Sequence, residues 1–236
     1  MTGRISAFLI LVSMATPAGA GLALVGNENG GTISLIDTAR DEVVGEIKTG
    51  GKPRGMAIHA ARKLAYVSDQ PNNALLVIDL DKLDVIDVAA RKLVAQLKVG
   101  NRPRGIAFTP DGAKAYVACE RADTVYVLDA RQHKILGTIK AGLRSNGLAM
   151  HPDGKRLYLT NGGDASVMVI DTATDKVVAT IPVGQRPWNM ALTRDGAKLY
   201  VANGRSDSVS VIDTAKNARI KDIPVGKTPW GVSIFE

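Results

Sequence analysis

One phrase of about ten residues returns five times along the chain: TGGKPRGMAI from 49, VGNRPRGIAF from 99, AGLRSNGLAM from 141, VGQRPWNMAL from 183 and VGKTPWGVSI from 225. Its glycine stands at Gly50, Gly100, Gly142, Gly184 and Gly226, in steps of 50, 42, 42 and 42. A second marker, an aspartate closing an apolar run, falls at Asp37, Asp79, Asp129, Asp171 and Asp213, in steps of 42, 50, 42 and 42. The two series disagree only between Asp79 and Gly100, which places an eight-residue insertion there, where VIDLDKLDVID (77–87) echoes the VID marker. A fixed period near 42 means a supersecondary unit that buries its faces only against its neighbours.

Within the unit that runs from 184 to 226, WNMAL, KLYVAN, VSVID and ARIKDIPV alternate with the bends TRDG, GRSDS and TAKN. Each stretch has strand length and β-branched or alternating content, and Asp-Gly and Asp-Thr pairs supply the turns. Four antiparallel strands per unit is the blade of a β-propeller, so the expected fold is all-β, built of four-stranded antiparallel blades. Composition agrees: 45% of residues are hydrophobic but only 4% aromatic, leaving Val, Ile, Leu and Ala to fill the core.

The first 20 residues have one cation, Arg4, an apolar run over 5–12 and the small-residue site Ala18-Gly19-Ala20. That is the pattern of a secretory signal peptide, which sets the expected location as periplasmic or secreted, with residues 21–236 as a single propeller domain. Cys119 is the one cysteine, so an oxidising compartment offers this chain no internal disulfide. Residues 22–49 supply three strands of a blade, and the terminal segment 230–235 has the phase of the missing innermost strand. Pairing of the two ends therefore predicts five closed blades and protects edges that would otherwise recruit other chains.

AYVSD (65–69), AYVAC (115–119), LYLTN (157–161) and LYVAN (199–203) are each followed by a loop, a V-x-V-[IL]-D run and the glycine–proline phrase. These units resemble the YVTN-type β-propeller repeat over essentially all of residues 22–236. With the leader, RPRGIAFTPDG, RLYLTNGG and the terminal PWGV, the chain looks most like the periplasmic propellers associated with PQQ-dependent catabolism. The resemblance implies an accessory role near PQQ-dependent alcohol oxidation, with PQQ as an associated rather than a resident cofactor. It also implies seven blades, two more than this chain holds.

In a blade of this connectivity the glycine–proline phrase links an outer strand to the next inner strand. Its five copies should then meet around the central channel on one face. The residue after the proline position reads Arg54, Arg104, Asn146, Trp188 and Trp230, and the one before it Lys52, Arg102, Arg144, Arg186 and Thr228. The five crossings hold seven Lys or Arg and no Asp or Glu, although the chain's formal charge is only +7. Paired guanidinium donors and indole faces suit an anionic, partly planar ligand. The expected ligand-binding set is therefore Lys52, Arg54, Arg102, Arg104, Arg144, Asn146, Arg186, Trp188 and Trp230.

The leading expectation is a non-enzymatic propeller that binds a periplasmic protein or a small anion at this mouth. Single-stranded DNA is a further partner that Arg and Trp would suit. A small lactone or ester hydrolase is the enzymatic alternative, and it would draw on Asn161 or Asn203. No residue is assigned a catalytic or metal-binding role, and no G-x-S-x-G, Walker A or H-E-x-x-H motif occurs. The strand-end residues Asn27, Asp69, Cys119, Asn161 and Asn203 are expected to satisfy loop backbone, and Tyr66, Tyr116, Tyr158 and Tyr200 to pack between blades. His59 and His151 share a repeat position on the opposite face, too far apart to chelate together.

Overall fold

The computed structural model describes residues 22–27, 30–37, 42–49, 51–80 and 93–232. Five antiparallel sheets follow one another in chain order. The first holds β1 (Leu22–Asn27), β2 (Thr32–Asp37) and β3 (Glu42–Lys48). The second holds β4 (Pro53–His59), β5 (Leu64–Asp69), β6 (Ala74–Asp79) and β7 (Leu93–Lys98). The third is β8 (Pro103–Phe108), β9 (Lys114–Cys119), β10 (Thr124–Asp129) and β11 (Lys134–Lys140). The fourth is β12 (Ser145–Met150), β13 (Arg156–Asn161), β14 (Ser166–Asp171) and β15 (Lys176–Pro182). The fifth is β16 (Pro187–Leu192), β17 (Lys198–Asn203), β18 (Ser208–Asp213) and β19 (Ala218–Pro224).

Sequence neighbours pair within each sheet, and the first strands β4, β8, β12 and β16 lie beside one another in that order. This is the blade arrangement of a β-propeller. Blades stack face to face, so a second strand such as β5 is buried on both of its faces, as continuous apolar runs require. Tyr66, Tyr116 and Tyr158 are fully buried between blades. Each such side chain contributes about 1.5–3 kcal/mol of burial. The outermost strands face solvent, and a bulge in each of β11, β15 and β19 leaves Leu136, Val178 or Ile220 outside the ladder. Bulges of this kind blunt an exposed edge.

The predicted closing strand has a different outcome from the rest. Residues 229–232 are irregular, 233–236 lie outside the described residues, and the first sheet keeps three strands among those described. Gly231 nevertheless lies next to β16: a Cβ built on it would stand 3.7 Å from that of Asn189. The leader 1–20 and most of the insertion, 81–92, also lie outside the described residues. Among the described residues no helix is long and apolar enough to cross a membrane.

Candidate functional site at the channel mouth

The ladder explains why the residue after the proline position varies while its surroundings hold. Pro53 pairs with Asp69 and Met56 with Val67, so Arg54 and Gly55 stand against one partner residue. The same irregularity recurs at Arg104–Gly105, Asn146–Gly147 and Trp188–Asn189. Each inner strand thus begins with a bulge, which frees one side chain from the sheet pattern and re-aims it. The glycine after it has a separate cause. A Cβ on Gly55 would lie 1.6 Å from the Arg104 carbonyl oxygen, and one on Gly105 or Gly147 would lie 2.5 Å from the next inner strand's carbonyl. In two blades a strand hydroxyl satisfies the bulged amide: Gly55 N donates to Ser68 Oγ and Gly147 N to Thr160 Oγ1, both at 2.8 Å.

The residue before the proline position is held in the left-handed region, with φ of 59° at Arg102, 56° at Arg144 and Arg186, and 55° at Thr228. Side chains other than Gly, Asn and Asp are uncommon there, and such strain collects at functional sites. Carboxylates and an amide from the neighbouring loop hold the geometry: Asn73, Asp123 and Asp207 accept the backbone N–H of Arg102, Arg144 and Thr228. Ala165 occupies the equivalent place beside Arg186 and has no group to accept that N–H.

A carboxylate stands among these cations. Glu120, only 2% exposed, accepts from Arg104 Nε at 2.5 Å, and Arg102 Nε and Arg186 Nη2 each lie 3.3 Å from it. Arg186 belongs to the fifth blade and passes over the fourth to reach it. Its side chain crosses Gly162, where a Cβ would stand 3.4 Å from it, in ordinary van der Waals contact. Burial holds the Arg186 guanidinium below its usual range, Glu120 opposes that shift, and Arg144 and Arg205 add to it. One buried carboxylate therefore organises three guanidiniums, and the group keeps a net positive charge.

The opposite rim is aromatic. Trp188 lies across Gly204, where a Cβ would come within 2.5 Å of the ring, and Trp230 leans on Trp188 with centroids 4.3 Å apart and planes at 45°. Trp230 is 52% exposed. Between the rims is a cavity of about 540 Å³, lined by Arg104, Asn146, Asn189 and Trp230 over Met56, Ile106 and Leu148. That volume lies within the range of small-molecule sites.

Of the expected set, Arg102, Arg104 and Arg186 converge on Glu120, Asn146 and Arg104 line the cavity, and Trp188 and Trp230 form its aromatic rim. Lys52 and Arg144 are exposed, and Lys52 N donates to Asp69 Oδ1 at 3.1 Å. Arg54 begins the bulge in β4, and its side chain lies outside the described residues. The strand-end residues do hold loops: Asn161 Oδ1 accepts from Gly142 N, and Asn203 Nδ2 donates to Ser208 and Ser210. Both asparagines are fully buried, so neither carries the hydrolytic role considered for it. Cys119 is likewise buried, which pushes its thiol up to about 12 and leaves it inert at neutral pH.

Two residues were missed. The five crossings hold no carboxylate, but Glu120 stands one place beyond the strand-end ring, in a series that reads Gln70, Glu120, Gly162 and Gly204, and reaches them from there. Asn189 was legible as the one break in a column otherwise made of Gly55, Gly105, Gly147 and Gly231.

Fold and mouth together define a β-propeller whose channel opens onto a cluster of arginines. The sequence profile of the family described as "Lactonase, 7-bladed beta-propeller" matches residues 71–223, and the chain belongs to that family. The comparisons therefore give a propeller family but not the narrower PQQ-associated group. No curated protein sequence matches significantly. Among solved structures, the chain is similar to a Kuenenia stuttgartiensis hydrazine synthase chain (TM-score 0.64, 25% identity, over 72% of this chain and 48% of that one). It is also similar to a functionally unknown protein from Desulfotomaculum acetoxidans (TM-score 0.79, 19% identity, 91% and 69%). A third likeness is to a putative 6-phosphogluconolactonase from Bacteroides uniformis (TM-score 0.74, 19% identity, 88% and 69%). The chain thus spans about half of the first of these and about two thirds of the other two.

Proposed function

We propose that the channel mouth binds an anionic lactone and promotes its opening to the hydroxy acid. The observation that carries this reading is the Arg104 guanidinium, fixed by buried Glu120 on the wall of the cavity at the mouth, in a chain of a lactonase family. Lactone opening adds water to the ester carbonyl, develops negative charge on that oxygen, and then breaks the ring C–O bond to leave a carboxylate and a hydroxyl. A preorganised guanidinium matches that developing charge without reorganising. Arg102 and Arg186 hold the same carboxylate as Arg104 and keep the mouth cationic, which favours the acid product as well as an anionic substrate.

Base uptake at constant pH on a panel of γ- and δ-lactones tests the reading. Wild-type protein should exceed spontaneous hydrolysis, and Arg104→Ala should lose at least ten-fold of that excess. A rate equal to the spontaneous one, or an unchanged variant, overturns it.

A second reading, capture of an anion without turnover, draws support from the charge balance at Glu120, where three guanidiniums meet one carboxylate. Saturable binding of a hydroxy acid with no base uptake above background would select it. A periplasmic protein partner, single-stranded DNA and the PQQ-linked accessory role would all have to use this same cationic rim.

A further inference from the structure

The cavity at the mouth has two unlike walls. Arg104 stands on one side with Glu120 behind it. Trp230 stands on the other, and the protein's second tryptophan is spent on backing it. Gly204 is small where Trp188 crosses it, so the indole pair is seated rather than left over. Met56, Ile106 and Leu148 also line the cavity, with the amides of Asn146 and Asn189 among its polar groups. A polyhydroxylated acid could reach the amides of Asn146 and Asn189 but would leave the half-exposed Trp230 face uncovered. A flat ring would lie on the half-exposed indole and send its carboxylate to the guanidinium.

We infer that the ligand is a carboxylate bearing a planar aromatic or unsaturated ring, with the ring on Trp230 and the carboxylate at Arg104. This rests on the mouth being the binding site and narrows the substrate to ring-fused or aryl-substituted lactones and the acids they yield. Asn189 is the specificity residue on the same wall. In every other copy its place is a glycine, and its amide reaches to within 3.1 Å of where a Cβ on Gly147 would stand.

The test titrates two probes, 2-naphthoate and gluconate, into wild type, Trp230→Ala and Arg104→Ala by calorimetry. A thermal unfolding scan of each variant accompanies the titrations. Naphthoate should bind wild type at least ten-fold more tightly than gluconate and quench the intrinsic fluorescence, because both tryptophans of the chain sit at this rim. Trp230→Ala should weaken naphthoate at least ten-fold and leave gluconate within two-fold, while Arg104→Ala weakens both. Gluconate binding as tightly as naphthoate, or naphthoate indifferent to Trp230→Ala, overturns the ring-bearing ligand and leaves the anion site standing. Failure of both probes to bind, or binding indifferent to Arg104→Ala, overturns the site itself.

Discussion

The two ends of the same blades use their turns differently. On the face opposite the mouth, neighbouring blades latch through hydrogen bonds: His59 Nε2 donates to the Gly112 carbonyl at 3.0 Å, His151 Nε2 to that of Gly196 at 3.2 Å, and Tyr66 to that of Ala130 at 2.8 Å. Tyr116 donates to Asp175 Oδ1 at 2.6 Å, and this bond adds to burial in raising the phenol's pKa. On the mouth face, strained backbone carries arginines whose charge one carboxylate only partly offsets. The repeat builds the two faces from alternate turns of the same blades, so the difference lies in what those turns carry. Left-handed backbone occurs on both faces, at Lys63, His133, Asp175 and Asn217 opposite the mouth, so what sets the mouth apart is positive charge gathered beside a cavity.

The largest expected effect comes from the mouth's central carboxylate. Glu120→Ala should destabilise the protein by about 3 kcal/mol in urea unfolding, because it leaves three guanidiniums facing one another around a buried site. On the opposite face, Gly112→Ala should cost about 2 kcal/mol: φ is +64°, and the new Cβ would lie 2.3 Å from His59 Nε2. Its folded fraction should bind anions as wild type does. Next comes a matched pair of hydroxyl deletions. Tyr116→Phe should lose about 1 kcal/mol with its bond to Asp175, whereas Tyr200→Phe should change stability by less than about 0.3 kcal/mol, since Tyr200 is half-buried and makes no comparable bond among the described residues. Equal losses would show that a following blade covers Tyr200.

A smaller effect of opposite sign is expected at Ala165, whose φ is +49° in a position filled elsewhere by Asn73, Asp123 and Asp207. Ala165→Asn should raise stability by about 0.5–1 kcal/mol, through the left-handed preference of asparagine and a new acceptor for the Arg186 amide. An unchanged midpoint would show that the loop there differs from its repeats. The smallest effect near neutrality is on pH dependence. Asp111 and Asp195 on the latch face are held below the usual carboxylate range, first by the Thr109 and Thr193 hydroxyls and then by backbone N–H groups. A folded pKa below the unfolded one gives stability that is present above about pH 4 and lost as pH falls through the folded values. Burial and Arg62 likewise hold the His133 imidazole below its usual range, so unfolding midpoints should be flat from pH 7 to 8, ease as pH falls below about 6.5 and fall further below 4, with the Thr109→Val variant losing part of the acid slope.

Periodicity made most of this legible. Gly100, Gly142 and Gly184 and the aspartates that close each run placed every blade and brought Arg104, Asn146, Trp188 and Trp230 to one opening. Glu120 was not legible, because a lone carboxylate in a loop has no pattern, and only the path of Arg186 over Gly162 shows that the third and fifth blades share it. The bulge at the start of each inner strand was hidden too, since register is a property of paired strands rather than of one. Asn189 stood in plain view as a departure from a glycine column.

The most direct test compares the two faces in one titration. The affinity of the folded fraction for 2-naphthoate and gluconate would be measured for wild type, Arg104→Ala at the mouth and Gly112→Ala at the latch face. The expected result is at least ten-fold weaker binding in Arg104→Ala, with Gly112→Ala less stable but binding as wild type. Unchanged affinity in Arg104→Ala, or an equal loss in both variants, would contradict the assignment of function to the mouth.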